Sequence, residues 1–264
     1  MKKNKDIVVI EKELAGYDGI DRIVSCYEIK QELENSPAPE WSLQSGLPTI
    51  DIEIGGFLGG EVTTISGISG HGKTLLSQTI TKNFYLTGNS CVWFSYEVRP
   101  TLFLKQFGNP LPDFYMPKQL KDKSIDWIYQ RVYEAKLKYD IKAVFVDHLH
   151  YLLDMNNQHN VSLTIGNIMR HIVNMAHEFN IHFFLMAHMM KTKPDKEPSL
   201  GDVRDSGMVE QESDNVFYIW RDEKNPHIGN LKIAKNRRNG VFNKKIALIK
   251  DGFFFREAYY EELV

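Results

Sequence analysis

The chain has 264 residues, 42% of them hydrophobic and 25% charged, so it can bury a core of ordinary size and is neither a disordered chain nor a disulfide-stapled miniature. A formal net charge of −2 excludes a general polyanion binder, so any contact with nucleic acid has to be local. The cysteines, Cys26 and Cys91, give neither metal-ligand spacing nor a disulfide framework. With no apolar run of about 18 residues and no secretory pattern in MKKNKDIVVIEKE, no membrane contact and a cytoplasmic location are expected.

Residues 1–41 are expected to form an arm, an amphipathic helix and a Pro-rich linker, and residues 42–264 the main domain. Ile20, Ile23, Val24 and Tyr27 fall at i, i+3, i+4 and i+7, which predicts a helix over 20–35. Ser36-Pro37-Ala38-Pro39 should end it, because a residue preceding proline avoids the α region, and residues 36–44 read as a linker. A stripe on a tether must be buried by its own domain or by a neighbouring subunit. From about Ser45 strands and helices alternate: a strand at 61–66, a helix from Lys73 to Leu86, a strand at 90–96 and a helix at 124–138 capped by Ser124. A strand at 143–146, a helix at 162–179 and a strand at 181–187 follow. This alternation predicts a parallel sheet covered on both faces. After about residue 215, NVFYIW, NLKIAK, KKIALI and FFFR predict an antiparallel extension.

Gly67-Ile68-Ser69-Gly70-His71-Gly72-Lys73-Thr74 matches G-x-x-x-x-G-K-[ST] between a predicted strand and helix. Such glycines let backbone N–H groups wrap phosphates at a helix N-terminus. Lys73 would reach the β- and γ-phosphates, and Thr74 would ligate Mg²⁺. Asp147 follows the apolar run Ala143-Val144-Phe145-Val146, the position from which such proteins hold Mg²⁺. Glu97 follows the strand Trp93-Phe94-Ser95-Tyr96, where it could act as a general base or stand as a solvated strand end. His188 ends a strand and could hydrogen-bond a γ-phosphate. His148 and His150 invite a metal reading, but the sequence places no third ligand, so an imidazole metal site is not expected. Lys191, Lys193 and Lys196 could track a phosphate backbone, and Ser199-x-x-Asp202 reads as a capping box. Residues 231–250 carry basic side chains and no acid, suited to nucleic acid or to a phosphate on an adjacent subunit.

Together GISGHGKT, FSYE, VFVDHLHYL, LMAH, PSLGDVRDSGMVEQESDNVFYIWRDE and KIAKNRRNG resemble the DnaB-type replicative ring helicases and the helicase domains of phage primase–helicases, over about residues 42–256. The resemblance implies an α/β, RecA-like P-loop NTPase core and a homo-oligomeric, hexameric ring with ATP or another NTP and Mg²⁺ bound between subunits. It implies that residues 67–75, including Ser69, Gly70, His71, Gly72 and Leu75, cradle the nucleotide and that Arg221 lies near the base. It makes Glu97 the base, His188 the γ-phosphate sensor, and Lys235 and Arg237 the groups acting on a neighbour's nucleotide, with Arg238 a one-residue alternative. Loops at 150–160 and 188–199 would hold single-stranded DNA, and the helix at 20–35 would dock on the next subunit. The expected function is an ATP-dependent replicative DNA helicase, phage- or plasmid-encoded, with primase or loader as separate chains unless the chain is a fragment of a longer one. The alternatives are a RecA-like recombinase or ATP-gated DNA-binding filament, which the GDVRDSG and KNRRNG segments disfavour, and a non-enzymatic nucleotide-dependent assembly protein.

Overall fold

The structure, a computed structural model, describes residues 10, 14–35, 41–153, 161–189, 197–199, 202, 206–221 and 227–262. The chain divides into two units, Met1–Glu40 and Trp41–Val264. In the first, helix α1 spans Cys26–Asn35 and so begins later than the expected residue 20. Ser25 explains the difference. Its hydroxyl accepts from the Glu28 N–H at 3.1 Å, with Glu28 at the third helical position, the arrangement of a capping box. Just upstream the Arg22 N–H closes a turn onto Gly19 O at 3.0 Å. Ile20, Ile23 and Val24 therefore precede the helix instead of lining it, and Tyr27, Ile29 and Leu33 within it are exposed.

In the second unit, β1 (Ser42–Leu43) and β2 (Phe57–Leu58) pair antiparallel around helix α2 (Pro48–Ile54). Residues 42–44, expected as linker, are thus part of the folded unit. Asp51 fixes this turn by accepting from Ser45 N–H at 2.6 Å and Gly46 N–H at 3.0 Å.

The remaining strands are β3 (Val62–Gly67), β4 (Cys91–Ser95), β5 (Ala143–Asp147), β6 (His182–His188), β7 (Asn215–Arg221), β8 (Ile228–Asn236), β9 (Lys244–Asp251) and β10 (Phe254–Glu257). They form one sheet in the order β10-β9-β8-β7-β3-β6-β5-β4. Neighbours from β4 to β7 run parallel, and β7 to β10 pair antiparallel, as the alternating and then strand-rich sequence predicts. The helices between them are α3 (Lys73–Leu86), α4 (Pro100–Lys105), α5 (Ile125–Tyr139), α6 (Val161–Phe179) and α7 (Ser206–Glu212). Ser124 caps α5 as expected, its side chain accepting from Trp127 N–H. No helix among the described residues is long and apolar enough to cross a membrane.

Successive residues of a strand face opposite sides, so the apolar strands supply two cores. Trp93, Phe145, Phe184 and Phe217 pack with α2 and α3 on one face. Val92, Phe94, Val144, Val146 and Leu185 pack with α5 and α6 on the other. On the first face Phe145 lies between Trp93 and Phe184, with ring centroids 4.6 and 4.5 Å apart and planes within 8° and 9° of parallel. A polar line crosses the sheet through the buried His182: Nε2 pairs with Thr63 Oγ1 at 2.8 Å and Nδ1 with Leu58 O at 2.7 Å. Asn215 donates to the same Thr63 oxygen at 3.0 Å, and Asn236 donates to Asn215 Oδ1 at 2.6 Å.

Phe145→Ala is expected to cost about 3–5 kcal/mol in urea unfolding, because it opens a cavity between two rings that neighbouring strands hold in place. His182 supplies a pH test. Burial pushes its pKa from 6.5 down to about 3. A ring held neutral contributes fully above the unfolded value, and the contribution is lost as pH falls from about 6.5 toward 3. Over that window the stability advantage of wild type over His182→Gln should shrink; an advantage independent of pH would show that the ring is not held neutral.

Candidate functional site

β3 ends at Gly67, and the chain turns through residues 67–72 into α3 at Lys73. Gly70 and Gly72 have φ of 80° and 108°, which side chains resist. Gly67 is constrained by space instead: a Cβ there would lie 2.2 Å from Ile219 O of β7. Lys73 is only 5% exposed and curls into the loop, its ammonium donating to Gly67 O at 2.8 Å and Ile68 O at 3.2 Å. Burial pulls its pKa down, opposed by the charges of Asp147 and Glu97. The loop thus presents a helix N-terminus and a buried cation to the same space, a setting for phosphate.

Asp147 ends β5 and is fully buried. Thr74 Oγ1 donates to its Oδ2 at 2.8 Å, while Oδ1 has no hydrogen-bond partner among the described residues. Burial pushes the carboxyl up to about 6 against the Thr74 hydrogen bond; the charge of Glu97 adds to the rise and Lys73 opposes it. A buried carboxylate oxygen without a partner, next to a threonine hydroxyl, offers the hard oxygen donors that Mg²⁺ takes, so these two residues fit the ion.

Ser69, Gly70, Gly72, Lys73, Thr74, Leu75, Glu97 and Arg221 line one cavity of about 510 Å³, a volume within the range of small-molecule sites. His71 ties the loop to β7, its Nδ1 accepting from the Arg221 N–H at 3.1 Å. His188 stands beside Gly67 in the β3–β6 register, and its Nε2 lies 2.9 Å from His148 Nε2. Burial, then the neighbouring His188, holds His148 down to about 3. A larger cleft of about 900 Å³, between α5 and residues 115–121, is lined by none of the loop residues and by no strand-end carboxylate, so its size does not make it the site.

The cavity also takes in Lys105, Lys250 and Phe253, which the sequence reading did not place there. Lys250 was legible only as part of a basic stretch, and Phe253 only as a strand residue. Their place beside the loop comes from pairing far along the chain.

The basic residues of the β8 end lie elsewhere. Asn236 pairs with Asn215 and Thr63 with Asn215, so β8 ends at the start of β3. Gly67 is four residues further along β3, about 13 Å away. Arg237 is 53% exposed there, donating to Asp214 Oδ1 at 2.8 Å and Gln211 O at 2.6 Å. Lys235 donates to Glu210 O, Gln211 O and Ser213 O at 2.7–3.2 Å, holding the C-terminal end of α7. Burial pulls its pKa down, and Arg237 adds to this. Arg238 turns inward, donating to Ile54 O, to Gly56 O at 2.7 Å and to Glu61 Oε1 at 3.0 Å. Lys191, Lys193 and Lys196 lie outside the described residues, as does most of the expected loop at 150–160. Ser199 and Asp202 do meet, the serine hydroxyl donating to Asp202 Oδ2 at 2.8 Å; whether a helix starts there falls outside the described residues.

The sequence profile of the family described as "DnaB-like helicase C terminal domain" matches residues 115–256. Among curated proteins, the chain is 30% identical over 130 residues to the replicative DNA helicase DnaB of Rickettsia felis, an alignment covering 46% of this chain and 26% of that protein. It is 31% identical over 106 residues to a probable plasmid replicative DNA helicase of Chlamydia muridarum, covering 39% of this chain and 23% of that one. The matched region thus spans about a quarter of these relatives. Among solved structures, a DnaB-like replicative helicase studied with primase superposes with a TM-score of 0.72 at 19% identity, covering 95% of this chain and 70% of that one. A second solved structure, an isolated ATPase domain, superposes with a TM-score of 0.73 at 19% identity, covering 88% of this chain and 97% of that one. At that identity the likeness establishes the fold alone, a RecA-like core with antiparallel strands added.

Adjacent arginines should separate in a stability measurement. Arg238→Ala strips hydrogen bonds from two backbone carbonyls and from Glu61 and should cost about 1–3 kcal/mol. Arg237→Ala breaks an exposed pair and should cost about 1 kcal/mol or less. Equal losses in urea unfolding would contradict the inward role of Arg238.

Proposed function

The chain belongs to the DnaB-like helicase C-terminal domain family, and from that premise we propose that it is an ATP-hydrolysing DNA helicase working as a homo-oligomeric ring, of six subunits, on single-stranded DNA. The observation that carries the reading is the meeting of Lys73, the Thr74–Asp147 pair and Glu97 at one cavity, with Arg237 just after β8, level with the opposite end of β3 from the loop.

The loop N–H groups and Lys73 bind and orient the phosphates of ATP or another NTP. Mg²⁺, held by Thr74 and Asp147, would neutralise charge on the β- and γ-phosphates. Glu97, exposed at the end of β4, accepts the proton of the attacking water. His188 contacts the γ-phosphate and passes its presence to β6. Arg221 lies by the base. An arginine some 13 Å of strand away from its own loop serves a site on another subunit, so Arg237 stabilises transition-state charge across an interface, with Lys235 beside it. That division supports a ring with nucleotide between subunits. Lys191, Lys193 and Lys196 contact the DNA backbone. Residues 1–40, with α1, serve as an arm and linker that precede the ATPase domain in the chain. The relatives named as replicative DNA helicase and as probable plasmid replicative DNA helicase, and the neighbour studied with primase, support a role in replication, in the cytoplasm, alongside a separate primase or loader.

With ATP and Mg²⁺ the protein should unwind forked DNA carrying 5′ and 3′ tails; ATP hydrolysis and DNA binding without strand separation would refute the helicase reading. Glu97→Gln keeps the shape of the side chain and removes the base. It should retain nucleotide binding and lose about 10²-fold or more in turnover. Near-normal turnover would return Glu97 to a solvated strand end.

A further inference from the structure

On the β4–β6 side of the cavity three side chains converge, and one of them, His148, has no part in the nucleotide chemistry proposed above. Glu97 follows β4, His148 follows β5 and His188 ends β6, on adjacent strands of the sheet. One nitrogen from each imidazole and one carboxylate oxygen of Glu97 lie within 4.8 Å of one another. His148 Nε2 and His188 Nε2 are 2.9 Å apart, with the rings inclined at 72°. An ion holding two imidazoles at about 2.0–2.1 Å sets their nitrogens roughly 2.9 Å apart at a right angle, and somewhat further at a tetrahedral one. Without an ion the two rings share an N–H···N hydrogen bond at that distance, and a small opening lets one ion take the proton's place between them. His148 cannot easily turn away: it is 7% exposed and its ring packs against Tyr151, centroids 4.6 Å apart. Glu97 is exposed and free to swing the short remaining distance.

We propose that Glu97, His148 and His188 form a binding site for a zinc-class divalent cation, distinct from the Thr74–Asp147 position. Two imidazoles and one carboxylate suit Zn²⁺, Co²⁺ or Ni²⁺, whereas Mg²⁺ takes oxygen donors, so donor chemistry keeps the two positions apart. Nothing in the spacing of the two histidines points to this site, because the third ligand comes from another strand. Occupancy draws Glu97 and His188 away from hydrolysis, so the bound ion silences the ATPase; that consequence rests on the roles proposed above, while the binding itself does not.

Co²⁺ is the probe, titrated into the full chain without nucleotide and in excess Mg²⁺, and followed by its visible ligand-field absorption. One equivalent should bind. Loss of a mere hydrogen-bonding partner outside a metal's ligands costs about 10- to 100-fold in affinity, so His148→Asn and His188→Asn should each weaken binding by at least about tenfold. Glu97→Gln changes an exposed side chain, leaves the fold intact and should weaken binding as well. His171→Asn, on the exposed face of α6, should leave binding unchanged. Absence of binding, displacement by Mg²⁺, or binding that survives loss of both histidines overturns the proposal. The readout uses neither ATP nor DNA, so an inactive wild type that still binds Co²⁺ counts against the helicase and for the metal site.

Discussion

The site is organised by a carboxylate with no contact to solvent. Asp147 sits at the end of a strand buried on both faces, and a single hydrogen bond from Thr74 holds one of its oxygens. Burying a carboxylate this way is unfavourable, and the rise in its pKa reflects that cost. The arrangement becomes favourable when a cation meets the unpartnered oxygen and phosphates meet Lys73. The same doubly covered sheet that stabilises the domain thus prepares, at its carboxyl edge, a place where opposite charges must be supplied together.

The sheet also separates two kinds of chemistry by distance. The phosphate loop leaves β3 at one end; the Arg237 turn and the C-terminal end of α7 lie at the other. Glu61, Asp214, Arg237 and Arg238 form a charged surface there, linked to β3 where Asp214 accepts the Val62 N–H at 2.9 Å. The His182–Thr63–Asn215–Asn236 line runs across β6, β3, β7 and β8 at this same end. A residue at either end cannot complete the other within one subunit, and this makes assembly a condition for activity in the proposed account.

Much of the fold was legible because parallel strands buried on both faces read as continuous apolar runs, as Ala143–Val146 does, and because Ser124 caps its helix locally. The start of α1 was misjudged where two local signals competed: the apolar spacing from Ile20 suggested a longer helix, and the Ser25–Glu28 pair set the boundary. Helix α2 is seven residues long, and its alternating Ile50, Ile52 and Ile54 give a strand-like pattern that competes with the buried i, i+4 pair Ile50–Ile54; Asp51 gripping Ser45 and Gly46 fixes the turn. Within the site, the contiguous loop 67–74 could be read directly. The meeting of Glu97, His148 and His188 could not, because it depends on β4, β5 and β6 lying side by side, which no spacing along the chain encodes. Arg237 and Arg238 were indistinguishable in sequence; the carbonyls of Ile54 and Gly56, nearly two hundred residues upstream, decide which one turns inward.

The central claim is that one subunit's loop is completed by another's arginine, and complementation tests it most directly. Lys73→Ala subunits keep Arg237, and Arg237→Ala subunits keep the loop; each alone should be inactive in ATP hydrolysis. Mixed, with co-assembly verified by pull-down of a tagged subunit, they create interfaces that join an intact loop to an intact arginine, and hydrolysis should return in part. Full activity of Arg237→Ala alone, or co-assembled mixtures with no hydrolysis, would contradict a site shared between subunits.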